Sequence, residues 1–239
     1  MTTRTFVLVH GAWHDGQAWR RVRPLLEARG HRVRTPSLTG HGEKAHLLGP
    51  DVGLSTHVDD VVALVLAEDL TDVVLVGHSY AGMVISGVAA RIPDRVALLV
   101  FLDAMVPADG ESALDVMPVT QTMIDAAATS EHPWRIPPLP ERPAPWGLFG
   151  VTDPDDLAWL CATLGDESVR CFLEPVHLGP RDAEAVPRAH VHCVDPSSPT
   201  RRPGVPDGER VRELVSGHDA MVIAPVELTE LLLELSGAR

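Results

Sequence analysis

Three continuous apolar runs in the first half of the chain, separated by segments with helical spacing, limit the possible folds most strongly. The runs are TFVLVH (5–10), DVVLVGHS (72–79) and RVALLVFLDA (95–104). Uninterrupted hydrophobic strands are typical of parallel sheets, whose two faces are both buried. Residues 16–30 and 55–70 carry apolar side chains at helical spacing. This strand–helix–strand repetition predicts an α/β fold with a mostly parallel sheet flanked by helices.

The regular pattern stops between the strand ending at Asp103 and a second group of core-like segments. The intervening stretch EHPWRIPPLPERPAPWG is rich in proline, which removes backbone donors and resists both sheet and long helix. Strand-like AHVHCV and RVRELV and helix-like PVELTELLLELS follow it. We therefore predict a core of residues 1–105 and 186–239, with residues 106–185 inserted as a small lid.

Composition excludes several classes of partner. The 239 residues carry a formal net charge of −13, which opposes binding to nucleic acids and anionic membranes. The apolar run near Met1 is too short for a membrane span and has no cleavage site after it, so we expect a cytoplasmic protein. The three cysteines (Cys161, Cys171 and Cys193) are widely spaced and odd in number, which predicts reduced thiols.

Ser79 stands where a predicted strand meets a predicted helix, in the stretch LVGHSYAGM. Gly-x-Ser-x-small at such a junction is the nucleophile elbow, a strained turn that exposes the serine Oγ at the carboxyl edge of the sheet. Gly77 fits the pattern, whereas Ala81 and then Gly82 stand where the strict pattern has one glycine. The alternative interpretation is an ordinary serine N-cap.

A nucleophilic serine needs a base and donors for the developing oxyanion. His218, in the stretch SGHDAM before the last helix, is the candidate base; the alternative is a structural histidine. The N–H of Tyr80, at the helix N-terminus, is one candidate oxyanion donor. The N–H of Ala12, in the HGAW loop after the first strand, is the other, and His10 is expected to support that loop.

Four segments in this order resemble the α/β-hydrolase superfamily: the first strand and loop from FVLVHGAW onward, VGHSYAGMVI, VFLDAMVP and GHDAM. Within it the chain is similar to the branch of plant methylesterases, hydroxynitrile lyases and bacterial pyrethroid-type carboxylesterases. The resemblance implies an α/β-hydrolase fold and an ester hydrolase or a mechanistic relative. The lyases carry threonine and lysine where this chain has Gly11 and Asp219, which speaks against cyanide chemistry.

The acid that would orient His218 has two candidates. In many relatives it follows the strand that here reads AHVHCV, where this chain has Pro196 with Asp195 one residue earlier. Asp103 ends the strand beside the nucleophile strand, a position that supplies the acid in some members of the superfamily. We favour Asp103 and keep Asp195 as the alternative; for either, a local turn would be the structural explanation.

Aromatic side chains suggest where a substrate would bind. The candidates are Trp13, Tyr80, Trp134, Trp146, Phe149 and Trp159. The last four lie in the predicted lid and either attach it to the core or form an apolar pocket above Ser79. None of the twelve histidines has zinc-site spacing, and no glycine-rich dinucleotide motif follows the first strand, so we expect neither metal nor cofactor.

The sequence thus predicts a serine hydrolase that cleaves a neutral, fairly hydrophobic carboxylic ester or lactone through an acyl-enzyme. Its expected partner is that small-molecule substrate, and the sequence leaves the oligomeric state open. Two alternatives stay open: a lyase or cofactor-free reaction on the same scaffold, and a non-catalytic small-molecule receptor.

Overall fold

A six-stranded sheet with every neighbouring pair parallel forms the centre of the protein, in a computed structural model that describes residues 3–143, 146–179, 186–194 and 210–238. Its spatial order is β2-β1-β3-β4-β7-β8, and β5 and β6 pair separately as a small antiparallel ribbon. The strands of the described residues are β1 (Thr5–Val9), β2 (Arg32–Arg34), β3 (Val73–His78), β4 (Val96–Leu102), β5 (Arg135–Ile136), β6 (Glu167–Ser168), β7 (Arg188–Val194) and β8 (Arg210–Val215).

Helices cover both faces of this sheet, which confirms the predicted α/β fold. In the described ranges they are α1 (Val22–Ala28), α2 (Leu54–Ala67), α3 (Ala81–Arg91), α4 (Ala113–Val116), α5 (Gln121–Ala128), α6 (Pro154–Thr163), α7 (Val169–Leu173), α8 (Ala220–Ile223) and α9 (Pro225–Leu235). None of them is both long enough and apolar enough to cross a bilayer.

Successive side chains of the strands point to opposite faces of the sheet, and each face packs against helices to form a hydrophobic core. In β1, Val7 and Val9 face the core under α2 and α3, whereas Phe6 and Leu8 face the core under α1 and α9. All four side chains are fully buried. Burial on both sides explains why the strands read as continuous apolar runs in the sequence.

The helix predicted over residues 16–30 is divided. A 3-10 turn spans Gly16–Trp19, with the Asp15 carboxylate accepting the N–H of Gln17 at 2.7 Å, and α1 begins only at Val22. Pro24 lies in the first turn of α1, where its missing N–H costs no helical hydrogen bond. The three cysteines all lie in the described ranges and form no disulfide.

Residues 106–185, called the insertion below, connect the neighbouring strands β4 and β7, and their described parts contain α4 to α7 and the β5–β6 ribbon. The insertion contributes to both cores: Leu160 of α6 packs into the core under α1, and Phe172 of α7 packs into the core under α2. Arg21 donates two hydrogen bonds to Asp156 of α6, at 2.8 and 2.6 Å. The function of the insertion as a lid stays a prediction.

Candidate active site

Ser79 follows β3 at the carboxyl edge of the sheet, in a turn with a φ of 55°. Its N–H donates to Leu102 O at 3.1 Å, and its carbonyl accepts the N–H of Met105 at 2.9 Å, so β4 and its following loop fix the turn. A Cβ at Gly77 would lie 2.6 Å from Ala81 O. Glycine at that position therefore permits the close approach of strand and helix that a nucleophile elbow requires.

His218 and Asp103 come together on the same wall of the site. His218 Nδ1 lies 2.5 Å from Asp103 Oδ2, and the Asp103 side chain is almost fully buried. With a proton on Nδ1 directed to this carboxylate, Nε2 carries the lone pair that a general base uses. The His78 ring donates from Nε2 to His218 O at 3.1 Å and so fixes the histidine loop. Asp195, the alternative acid, lies outside the described residues.

The loop after β1 passes directly beside Ser79. His10 Nε2 accepts the N–H of Leu38 at 3.0 Å, so its Nδ1 carries the proton and donates to Gly11 O at 2.9 Å. Burial, reinforced by His41, holds the pKa of His10 well below its ordinary value and keeps the ring neutral. A Cβ at Gly11 would lie 3.0 Å from Ser79 Cβ, so a larger residue would push the loop away.

Ala12 and Tyr80 border the same cavity as Ser79. Across the described parts of the chain, neither of their N–H groups donates to a protein acceptor. Two backbone donors beside one cavity, each with unused hydrogen-bonding capacity, suit an oxyanion. Their role as an oxyanion hole stays a prediction.

A cavity of about 710 Å³ opens above Ser79, between the sheet edge and the insertion. Of the six predicted binding residues, the structure brings four to its wall: Trp13, Tyr80, Trp146 and Phe149. Much of the remaining wall was missed from the sequence, because methionines and one phenylalanine of this kind look like ordinary core residues. They are Met105, Met117, Met123 and Phe172.

The other two predicted binding residues do not line this cavity, which corrects the sequence expectation. The Trp159 ring lies under the guanidinium of Arg20, 3.5 Å from its carbon, on the α1 side of the sheet. The carbonyl of Trp134 accepts the N–H of Val169, and its ring contacts Arg135 at 5.3 Å. Trp159 therefore attaches the insertion to the α1 side of the core, whereas the contacts of Trp134 lie within the insertion itself.

Backbone strain is concentrated around this cavity. The φ angles are 67° at Trp13, 55° at Ser79, 43° at Asp103 and 54° at Phe149. These are four of the six non-glycine residues with positive φ in the described chain, and all four line the cavity. Each such residue costs about 1–3 kcal/mol, so the surrounding contacts must stabilise them, as is common at functional sites.

Two groups of ionisable side chains near the site have ligand atoms within 4.8 Å of one another. They are His78, His218 and Asp219, and His41, His57 and Glu167. In the second group, His57 contacts Tyr80 Oη at 3.2 Å and Thr39 O at 3.0 Å, and His41 Nε2 lies 3.2 Å from Glu167 Oε2. Burial alone would raise the pKa of Glu167, but His41 and His57 lower it to about 2. These contacts make the second group a buried cluster held by hydrogen bonds and an ion pair.

The comparisons with known proteins agree with this architecture. A model of the alpha/beta hydrolase family matches residues 6–231. A carbendazim-hydrolyzing esterase of Nocardioides sp. strain SG-4G is 38% identical, with 96% of this chain and 98% of the relative covered. A pyrethroid hydrolase of Sphingobium wenxiniae is 43% identical over 46% of this chain and 39% of that protein.

Among solved structures, an extracellular alpha/beta-hydrolase from a Paenibacillus species superposes with a TM-score of 0.78 at 24% identity, covering 97% of this chain and 98% of the other. That similarity carries the fold only. Together with the family match and the esterase relatives, it confirms the resemblance to the small esterases of this superfamily. The chain belongs to the alpha/beta hydrolase family.

Proposed function

We propose that the protein is a carboxylic ester hydrolase in which Ser79 is the nucleophile, His218 the general base and Asp103 the acid that orients it. The observation that carries the proposal is the 2.5 Å contact between His218 Nδ1 and Asp103 Oδ2 at the wall of the cavity that Ser79 also lines. The esterase activity of the relatives supports the same reaction class.

The reaction runs in two halves. His218 Nε2 takes the Ser79 proton while Oγ attacks the ester carbonyl, and the N–H groups of Ala12 and Tyr80 stabilise the oxyanion. His218 then gives that proton to the leaving alcohol, and the C–O bond breaks to leave an acyl-serine. A water molecule, deprotonated by His218, attacks the acyl carbonyl, and His218 returns the proton to Ser79 Oγ as the acid departs. Asp103 stabilises the imidazolium in both halves.

The cavity favours a fairly hydrophobic acyl or alcohol group. Trp13, Phe149 and Phe172 stack near one another, with ring centroids 6.0 Å apart for both pairs that include Trp13. Apolar walls of this kind gain affinity by burying apolar surface. Arg142 contributes a cationic group at the insertion side of the wall, where its guanidinium carbon lies 4.9 Å from the Trp146 ring. Because this guanidinium stacks on Trp146 and the wall formed by the three aromatic rings is apolar, we propose a neutral hydrophobic ester or lactone as the substrate class.

The experiment is hydrolysis of p-nitrophenyl esters of increasing acyl length by the wild type and by Ser79→Ala, with labelling by a serine-directed fluorophosphonate. We expect labelling and turnover in the wild type and loss of both in the variant, by at least about a thousandfold in kcat. Turnover unchanged in Ser79→Ala would refute the serine mechanism. Tight ligand binding without turnover would favour the receptor alternative. Turnover without labelling by the fluorophosphonate would favour the lyase-like alternative.

A further inference from the structure

His14 lies between the loop that carries Ala12 and the loop that carries His218. Its Nδ1 lies 2.8 Å from Ala12 O, in the loop that carries the candidate oxyanion donor. Its Nε2 lies 3.0 Å from Asp219 Oδ2, the residue that directly follows the candidate base. The side chains of His14 and Asp219 are 3% and 0% exposed, so water does not compete for these contacts.

Both partners of the His14 ring are hydrogen-bond acceptors, which fixes its charge state. A carbonyl and a carboxylate each require an N–H, and only the imidazolium has two. Burial alone would lower the pKa of His14, but Asp219, assisted by the Ala12 carbonyl and by Asp15, raises it above its ordinary value. Burial opposes ionisation of Asp219 as well, but the charge and the hydrogen bond of His14 lower the pKa of that carboxyl.

The other ionisable neighbours are consistent with a charged His14. The ring of His78 stands edge-on to it, with centroids 5.8 Å apart, and burial together with His218 keeps the pKa of His78 well below normal. His10 is likewise held neutral by burial. The cation on His14 is therefore compensated by Asp219 and does not face a second cation within this group.

The segment that His14 contacts is under strain. Trp13, between Ala12 and His14, has a φ of 67°, which a bulky side chain adopts only when its surroundings enforce it. Its indole N–H donates to Ile136 O at 3.1 Å, and its carbonyl accepts the N–H of Gly165 at 2.8 Å. The insertion thus holds one side of the turn, and His14 holds the Ala12 carbonyl on the other.

We propose that His14 and Asp219 form a positioning pair that fixes the loop carrying the Ala12 N–H, by holding the Ala12 carbonyl, and links this loop to the loop that carries His218. The inference builds on the proposed function, and neither residue is assigned contact with substrate. Asp219 stands where the lyases of this superfamily have lysine, and in this chain the position provides an internal anion. The pair would act on kcat, because an oxyanion donor binds the transition state more strongly than the ground state.

Asp219→Asn tests the pair with minimal change of shape. Without the carboxylate, burial makes His14 neutral near pH 7, so the ring donates through one nitrogen instead of two. We expect kcat to fall about 10- to 100-fold, less than loss of an oxyanion donor itself, with KM within about twofold. The ratio of variant to wild-type kcat should recover as the pH is lowered and His14 is protonated again.

His14→Gln provides the second variant, because glutamine can donate to Ala12 O but does not titrate. Its kcat should fall similarly, without the recovery at low pH. Asp156→Asn is the matched control: it removes a partly buried carboxylate with an arginine partner away from the cavity, and its kcat should stay within about twofold of wild type. All variants are compared well below their melting temperatures.

The outcomes separate the two proposals. If the wild type turns over esters but Asp219→Asn and His14→Gln keep the wild-type kcat, the positioning role is refuted and the serine mechanism stands. If their loss appears in KM, or equally in Asp156→Asn, the pair is structural only. A wild type without turnover on any ester refutes the proposed function and this inference with it.

Discussion

Glu167→Gln removes a fully buried carboxylate that joins the insertion to the core. Glu167 lies in β6, whereas its partners His41 and His57 lie in the loop after β2 and in α2. Its Oε1 accepts the N–H of Ser168 at 3.1 Å, and Oε2 faces His41 Nε2 at 3.2 Å. Glutamine has the same shape but carries no charge, so the substitution isolates the ionic contribution of this carboxylate.

The magnitude follows from the pKa. The carboxyl titrates near 4.5 in the unfolded chain and at about 2 in the folded protein. Because the folded pKa is the lower one, ionised Glu167 stabilises the fold fully above pH 4.5, and this stabilisation is lost as the pH falls towards 2. A difference of this size corresponds to about 3 kcal/mol. Its loss should begin just above pH 4.5 and proceed at about 1.4 kcal/mol per pH unit.

Urea denaturation, followed by tryptophan fluorescence from about pH 7 down to about pH 3, measures the stabilisation that ionised Glu167 provides. The difference in free energy of unfolding between wild type and Glu167→Gln should be constant above about pH 5 and shrink below it. Glu27→Gln, at an exposed carboxylate paired with Arg23 on α1, should give a small difference throughout. A wild-type-minus-Glu167→Gln difference that does not change with pH would refute the reasoning.

Two further substitution pairs test the site. Asp103→Asn should lower kcat by about 10³- to 10⁴-fold, because the imidazolium of His218 loses its counter-charge, whereas Asp195→Asn should keep a kcat near that of the wild type. Steady-state kinetics on one ester measures both effects, and the reverse ranking would assign the acid to Asp195. Trp146→Ala should raise KM about tenfold for esters with long acyl chains, because it removes part of the apolar wall of the cavity. Trp159→Ala should leave KM unchanged and lower the free energy of unfolding by about 1 kcal/mol or more, because the ring loses its contact with Arg20. Equal effects of the two tryptophans on KM would contradict the placement of the cavity.

Sequence patterns predicted the parts of this protein that depend on neighbouring residues. The strands β1, β3 and β4 were found because burial on both faces leaves no polar position in the run. Ser79 was singled out because the small residues around it are adjacent in sequence, and their spacing reports the steric demand of the turn directly.

Contacts between residues that are distant along the chain could not be predicted from the sequence. Asp103 and Asp195 each come after a strand-like run in the sequence, so residue type alone could not identify Asp103 as the one in contact with His218, which lies far along the chain. Trp146 and Trp159 both lie in the insertion, but the face on which each one packs depends on how α6 docks against α1. The charge on His14 likewise depends on Asp219, which is distant along the chain and contacts it only in the folded protein.

The insertion supplies side chains to both hydrophobic cores, and this limits how such proteins can be recombined. Leu160 is fully buried on one side of the sheet, and Phe172 and Cys171 are buried on the other. Cutting out the insertion would expose apolar surface on both faces of the sheet at once. An exchange of this segment between relatives, made to transfer substrate preference, would therefore have to keep these inward-facing side chains and replace only those that line the cavity.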